Sequence, residues 1–261
     1  MGAISISSCF DYSVPLAVQF EMIREAGFRF VSFGRNFDHS GILDAGRMKT
    51  IKSVLSSNRL SVDSIHGYEM DKPDSLEVNR AVVRAAAALE APVVALHCSA
   101  FTFNPETLSD KRRDVRAKLN QYESLARESG VRFAFENVLP GVATEFMEEM
   151  LWEANPDHFG FCYDSSHDQI DGPRDFGLLK RLSGRLIAIH LSDRIQEFVD
   201  HVLPGEGFID FSALCDVLAK AKIGFPLMME VMTAHSSIKD PEVFLRAAKE
   251  AATDLDRRIR S

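Results

Sequence analysis

The chain has 261 residues, 46% of them hydrophobic and 26% charged, which is the composition of a folded globular protein and excludes a disordered one. Its formal charge of −8 argues against nucleic acid as the natural partner, because phosphate binding needs an excess of lysine and arginine. Four scattered cysteines (Cys9, Cys98, Cys162 and Cys215) with no C-x-x-C pair fit buried thiols in a reducing compartment better than a disulfide framework or a zinc knuckle.

In chain order, short apolar runs rich in β-branched and aromatic residues predict eight strands, at 3–7, 28–34, 61–66, 92–97, 131–138, 159–164, 186–190 and 225–232. The segments between them carry helical periodicity. The clearest are SLEVNRAVVRAAAALE and DKRRDVRAKLNQYESLARESG, the second stopped by Gly130. DFSALCDVLAKAKIG follows, with Asp210 as N-cap and Gly224 as terminator, and DPEVFLRAAKEAATDLDRR opens with the Asp-Pro pair suited to a first helical turn. Strands apolar throughout are buried on both faces, as in a parallel sheet covered by helices. Eight strand-helix units in one chain of this length predict a single (β/α)8 TIM barrel over 1–261. A doubly wound open sheet is disfavoured, since SISSCFDYS after the first strand contains no G-x-G-x-x-G turn.

Barrel chemistry sits where strands end. Strand five closes FENV with Glu136, strand six YDSSH with Asp164 and His167, strand seven IAIHLSD with His190 and Asp193, and strand eight MMEVM with Glu230. Earlier strands end on His66 (SIHG) and His97 (ALHC). A carboxylate at the end of a buried strand needs a compensating charge. Glu136, Asp164 and Glu230 would repel one another unless a cation joined them. With one imidazole they form a donor set for Mn²⁺, Co²⁺, Zn²⁺ or Mg²⁺. The plainer readings are a salt bridge for either glutamate, an N-cap for Asp164 and a core histidine at His190. His66 and His97 could simply bond to backbone, and His39, His158 and His235 read as surface or loop residues.

The motifs FAFENV, YDSSH, IHLSD, HVLPGEGFIDF and MMEV together resemble the xylose-isomerase-like barrel superfamily, which holds sugar and sugar-phosphate isomerases and epimerases and also endonuclease IV. The resemblance runs the length of the chain in strand order. It implies that Glu136, Asp164, His190 and Glu230 bind one divalent metal ion, with Glu136 and Glu230 also serving as general base and acid. His66, His97, His167, Arg194, His201 and Glu206 would contact substrate. The epimerase pattern places its substrate-holding arginine where this chain has Gln196, so Arg194 stands in for it from a different offset.

The function implied is a metal-dependent isomerase or epimerase of a small sugar, ketose or keto-acid, phosphorylated or not, acting through a metal-stabilised enediolate. The alternatives are a dehydratase or lyase on a polyol or keto-cyclitol, and an endonuclease IV-like phosphodiesterase. The latter is weakened by Val199, which replaces a metal-binding aspartate, with Asp200 one place out of register. Loops carrying GRNFDHSG and SAFTFNPET, with Phe37, Phe101 and Phe103, would set substrate choice. The first residues lack a signal-peptide pattern and no apolar run is long enough to span a bilayer, so a cytoplasmic, membrane-free protein is expected. Relatives are often dimers or tetramers, and a homo-oligomer is the corresponding expectation.

Overall fold

The computed structural model describes residues 2–99 and 107–261. Eight parallel strands close into a barrel in sequence order: β1 Ile4–Ser7, β2 Phe30–Phe33, β3 Ser61–His66, β4 Val93–Leu96, β5 Arg132–Glu136, β6 Phe159–Asp164, β7 Leu186–Leu191 and β8 Leu227–Met229. Closure comes from β1 pairing with both β2 and β8, Ile6 lying beside Val31 on one side and Met229 on the other. Each strand lies within the segment its apolar run predicts, save that β7 runs on to Leu191.

Alternation along the strands sorts side chains by size. Phe133, Phe135, Phe161, Tyr163, Ile189 and Leu191 belong to the main core shared with the helices. The intervening Ala134, Cys162 and Ala188 join Val93 and Ala95 in a separate small cluster inside the barrel. Bulky outward residues dock the helices, and small inward ones leave room at the strand ends. All four cysteines are buried and free.

Ten helices are seen among the described residues: α1 Leu16–Glu25, α2 Phe37–Ser40, α3 Met48–Ser57, α4 Ser75–Ala88, α5 Leu108–Ser129, α6 Val142–Glu153, α7 Ser165–Asp168, α8 Gly177–Leu182, α9 Phe211–Ala221 and α10 Pro241–Arg260. The capping signals act as expected at three ends. Gly130 takes φ 74° after α5, Asp210 accepts from the Ala213 amide, and Asp240 accepts from the Val243 amide ahead of Pro241. The terminator of α9 differs: the left-handed residue is Lys222 (φ 51°), two places before Gly224, because Ile223 turns into the core. Phe101 and Phe103 lie outside the described residues. No described helix is long and apolar enough to cross a membrane.

Candidate metal centre

Three adjacent strands and the residue after a fourth bring the acids together. Glu136 ends β5, Asp164 ends β6, His190 pairs with Asp164 across β6 and β7, and Glu230 follows β8, its amide donating to Leu191 O. All four are buried, and one ligand atom from each lies within 4.8 Å of the others. His190 Nδ1 is 2.7 Å from Glu230 Oε2, 3.4 Å from Glu136 Oε2 and 4.0 Å from Asp164 Oδ2. Yet both Glu136 oxygens, Asp164 Oδ2 and His190 Nδ1 have no aligned hydrogen-bond partner. Buried polar atoms are almost always satisfied. Four orphans converging on one point fit a divalent cation, and the mixed carboxylate-imidazole set suits one of intermediate hardness.

The plainer readings can now be weighed. No lysine or arginine pairs with Glu136 or Glu230 among the described residues; histidines do. Asp164 is indeed an N-cap: Oδ1 accepts from the His167 amide at 2.7 Å and from Ser166 Oγ at 2.9 Å. That use consumes one oxygen and leaves Oδ2 facing the cluster. Burial opposes ionisation of Glu136 and Glu230, but the imidazolium of His190 outweighs it, holding Glu136 well below the usual carboxylate range and Glu230 at about 2. Burial likewise opposes charge on His190, which Cys162 and the Glu230 and Glu136 carboxylates overcome, holding it well above its ordinary value. Without a cation the imidazoles would balance the acids by taking up protons; a divalent ion would take over that role, with His190 as a neutral ligand.

The sequence-level motifs and this convergence agree with a direct comparison: the family model described as xylose isomerase-like TIM barrel matches residues 20–256. The chain belongs to that family. Its curated relatives include an uncharacterized protein of Sinorhizobium fredii, 22% identical over 90% of this chain and 87% of the relative. Among solved family-like folds, 3-keto-D-glucoside 4-epimerase from E. coli superposes with a TM-score of 0.75 at 17% identity, covering 98% of this chain and 100% of that one. The IolI protein with a bound zinc atom gives 0.74 at 17% identity over 98% and 97%. Sugar epimerases and epimerase-like proteins recur among these neighbours.

Around the family's barrel mouth, a cavity of about 590 Å³, ample for a small ligand, is lined by His66, His97, His167, Arg194, His201 and both glutamates together with Cys9, Tyr12, Arg35 and Lys72. His66 Nε2 and His167 Nδ1 each approach Glu136 to 3.3 Å. Burial opposes charge on His167, but Asp164 and Glu136 raise it to about 10. His97 donates Nδ1 to Cys98 O, and burial pushes it down to about 4, with Glu136 opposing and the Arg35 charge assisting. His201 is edge-on to His167 and holds the left-handed φ of 54° that non-glycine residues avoid.

Two of the expected substrate contacts sit differently. Arg194 is fully buried, and its guanidinium is spent on Ser166 O, Gln196 O, Glu197 O and Asp200 Oδ2, which knots the loop after β6 to the loop after β7. Glu206 is not among the cavity's lining residues; its carboxylate accepts from the Leu203 and Ser237 amides and the Ser236 and Ser237 hydroxyls, tying the β7 loop to the β8 loop.

Three organisers had no role assigned from sequence. Asn137 bridges β5 to β6 by exchanging bonds with Asp164 O and N. Asp193, fully buried, accepts from the amides of Arg194, Gly205, Gly207 and Ile209 and so shapes the whole HVLPGEGFID loop. Gly207 is required there, since a Cβ would lie 2.2 Å from Arg194 O. Asp200, besides anchoring Arg194, lies 3.1 Å from His201 Nδ1 and so aims that ring.

Proposed function

We infer that the protein is a divalent-metal-dependent isomerase or epimerase acting on a small sugar, ketose or keto-acid. The observation that carries this is the convergence of ligand atoms from Glu136, Asp164, His190 and Glu230 within 4.8 Å of one another, those of the first three lacking aligned hydrogen-bond partners. When bound, a divalent cation would supply Lewis-acid stabilisation of the negative charge that builds on substrate oxygen. The reaction requires moving a proton from carbon beside a carbonyl. Glu136 and Glu230 reach the centre from the ends of β5 and β8, on different sides of the ring of strands, and exchange that proton as base and acid.

His167 stands at Glu136 as a charged donor and orients a substrate oxygen. His97, neutral and with Nδ1 committed, offers Nε2 as an acceptor for a hydroxyl. Arg194 and Glu206 serve as loop ties, while Asp200 aims His201. The epimerases among the structural neighbours support the same class of chemistry.

The test is proton exchange. Mn²⁺-loaded protein incubated with a panel of ketoses in D₂O is expected to introduce deuterium beside the carbonyl, read by NMR. Glu136→Gln and Glu230→Gln are each expected to lose about 10²–10⁴-fold of that rate. Full activity in both variants rejects the assignment. A second reading draws on Asp164, His167 and His201, which also place ligand atoms within 4.8 Å of one another and could hold a further ion for phosphodiester hydrolysis. Metal analysis finding one ion per chain excludes it.

A further inference from the structure

The cavity has a charge asymmetry that proton transfer does not use. Glu136, Asp164 and Glu230 stand at the ends of β5, β6 and β8, while the opposite half of the barrel mouth, on the loops after β2 and β3, presents Arg35 and Lys72 with a single acid, Glu69. Arg35 commits only Nη1, to Glu69 Oε1 at 2.6 Å; its Nε and Nη2 meet no hydrogen-bond partner among the described residues. Lys72 is half-buried, and its ammonium has neither an ion pair nor a hydrogen bond among them. Its neighbours contrast with it. Lys118 donates to Met70 O, Lys72 O and Ser75 Oγ, and Lys111 pairs with Asp71.

On the outer helices Arg112 and Arg116 meet Glu149, and Arg181 meets Glu148. In a chain of net charge −8, the rim of this cavity keeps two guanidinium nitrogens of Arg35 and the whole Lys72 ammonium uncommitted among the described residues. A half-buried ammonium gives up hydration with nothing in exchange unless an anion arrives.

We propose that the substrate carries a terminal anion, a phosphate or a carboxylate, held by Arg35 and Lys72. The proposal rests on this cavity being the sugar site of the preceding section. The planar guanidinium offers two free donors in a fork that matches a carboxylate or phosphate edge, and the lysine adds a mobile point charge. The same asymmetry fixes orientation. With the anion held at Arg35 and Lys72, the uncharged hydroxy-ketone end is the end delivered to Glu136 and Glu230. Tyr12, whose phenol is held protonated by burial, lines the same part of the cavity and supplies a neutral donor between the two ends.

The test compares three probes on Mn²⁺-loaded protein by calorimetry: D-ribulose, D-ribulose 5-phosphate and D-tagaturonate. At least one anionic probe is expected to bind tenfold or more tighter than ribulose, and the tighter of the two identifies the group as phosphate or carboxylate. Arg35→Met and Lys72→Met are each expected to remove most of that gain while leaving ribulose affinity and the Mn²⁺ titration unchanged. No anion advantage, or an advantage that survives in both variants, overturns the proposal. The Mn²⁺ titration separates the two readings: a wild-type protein that takes up no Mn²⁺ sinks the metal assignment, and the probe comparison is then decided on the metal-free protein by the same criteria.

Discussion

Metal uptake and fold stability should be coupled, and the size of the coupling can be worked out. A cation that binds the folded chain alone stabilises it by about 2.7 kcal/mol at a free concentration one hundred times its dissociation constant. For 261 residues at roughly 2.1 cal/mol/K each, the unfolding entropy is about 0.55 kcal/mol/K, so the expected rise in Tm is about 5 °C. Glu136→Gln removes one charged ligand. If affinity falls by about a hundredfold, the same concentration only equals the new dissociation constant, leaving about 0.4 kcal/mol and a shift under about 1 °C. The assay is scanning calorimetry on chelator-treated protein titrated with Mn²⁺, Co²⁺, Zn²⁺ and Mg²⁺ in turn. The reasoning is refuted if no cation raises Tm, or if Glu136→Gln and Asp164→Asn respond as strongly as the wild type.

Further outcomes follow from other parts of the structure. Arg194→Met leaves Asp200 and three backbone carbonyls without their buried partner and is expected to cost about 3 kcal/mol by urea denaturation; an unchanged midpoint counts against the knot. Asp63, inside the barrel with Ser5 Oγ donating to it at 2.6 Å, is pushed by burial up to about 6. It holds its proton to higher pH folded than unfolded, so its contribution is lost as pH rises from about 4 through 6. Asp63→Asn should therefore gain up to about 3 kcal/mol at pH 8 and almost nothing at pH 3, read from paired melts; an equal effect at both pH values contradicts the assignment. Asp193→Ala removes an acceptor serving four amides and should expose the 194–209 loop to limited proteolysis with the barrel's circular dichroism intact.

The barrel was legible because short runs rich in apolar, β-branched and aromatic residues recur eight times between helical segments, even though β1 (ISIS) and β3 (SVDSIH) carry polar residues. The four candidate ligands were legible because a carboxylate or imidazole closes such a run, where solvent cannot easily neutralise it. What escaped depends on direction and distance that a linear pattern does not carry. Arg194 and Glu206 lie in the right loop, but long flexible side chains can turn either way, and both turn to brace the chain. Asp193 was visible as a residue, yet its partners lie up to sixteen positions away on a loop whose path it sets. Arg35 and Lys72 look in sequence like any solvated loop cation, and only the inventory of who pairs with whom singles them out. At α9, glycine marked the obvious stop, but burial of Ile223 forced the turn onto Lys222.

The Arg194 knot divides the rim into unequal halves. On the side of β6 and β7, a single buried guanidinium fastens two loops together, so a substitution in one is felt by the other and variation there is constrained. On the side of β2 and β3, the Arg35 side chain makes one ion pair, to Glu69, and the Lys72 ammonium makes none among the described residues. Such a scaffold can acquire a new preference at one edge while the chemistry at the other stays as it was.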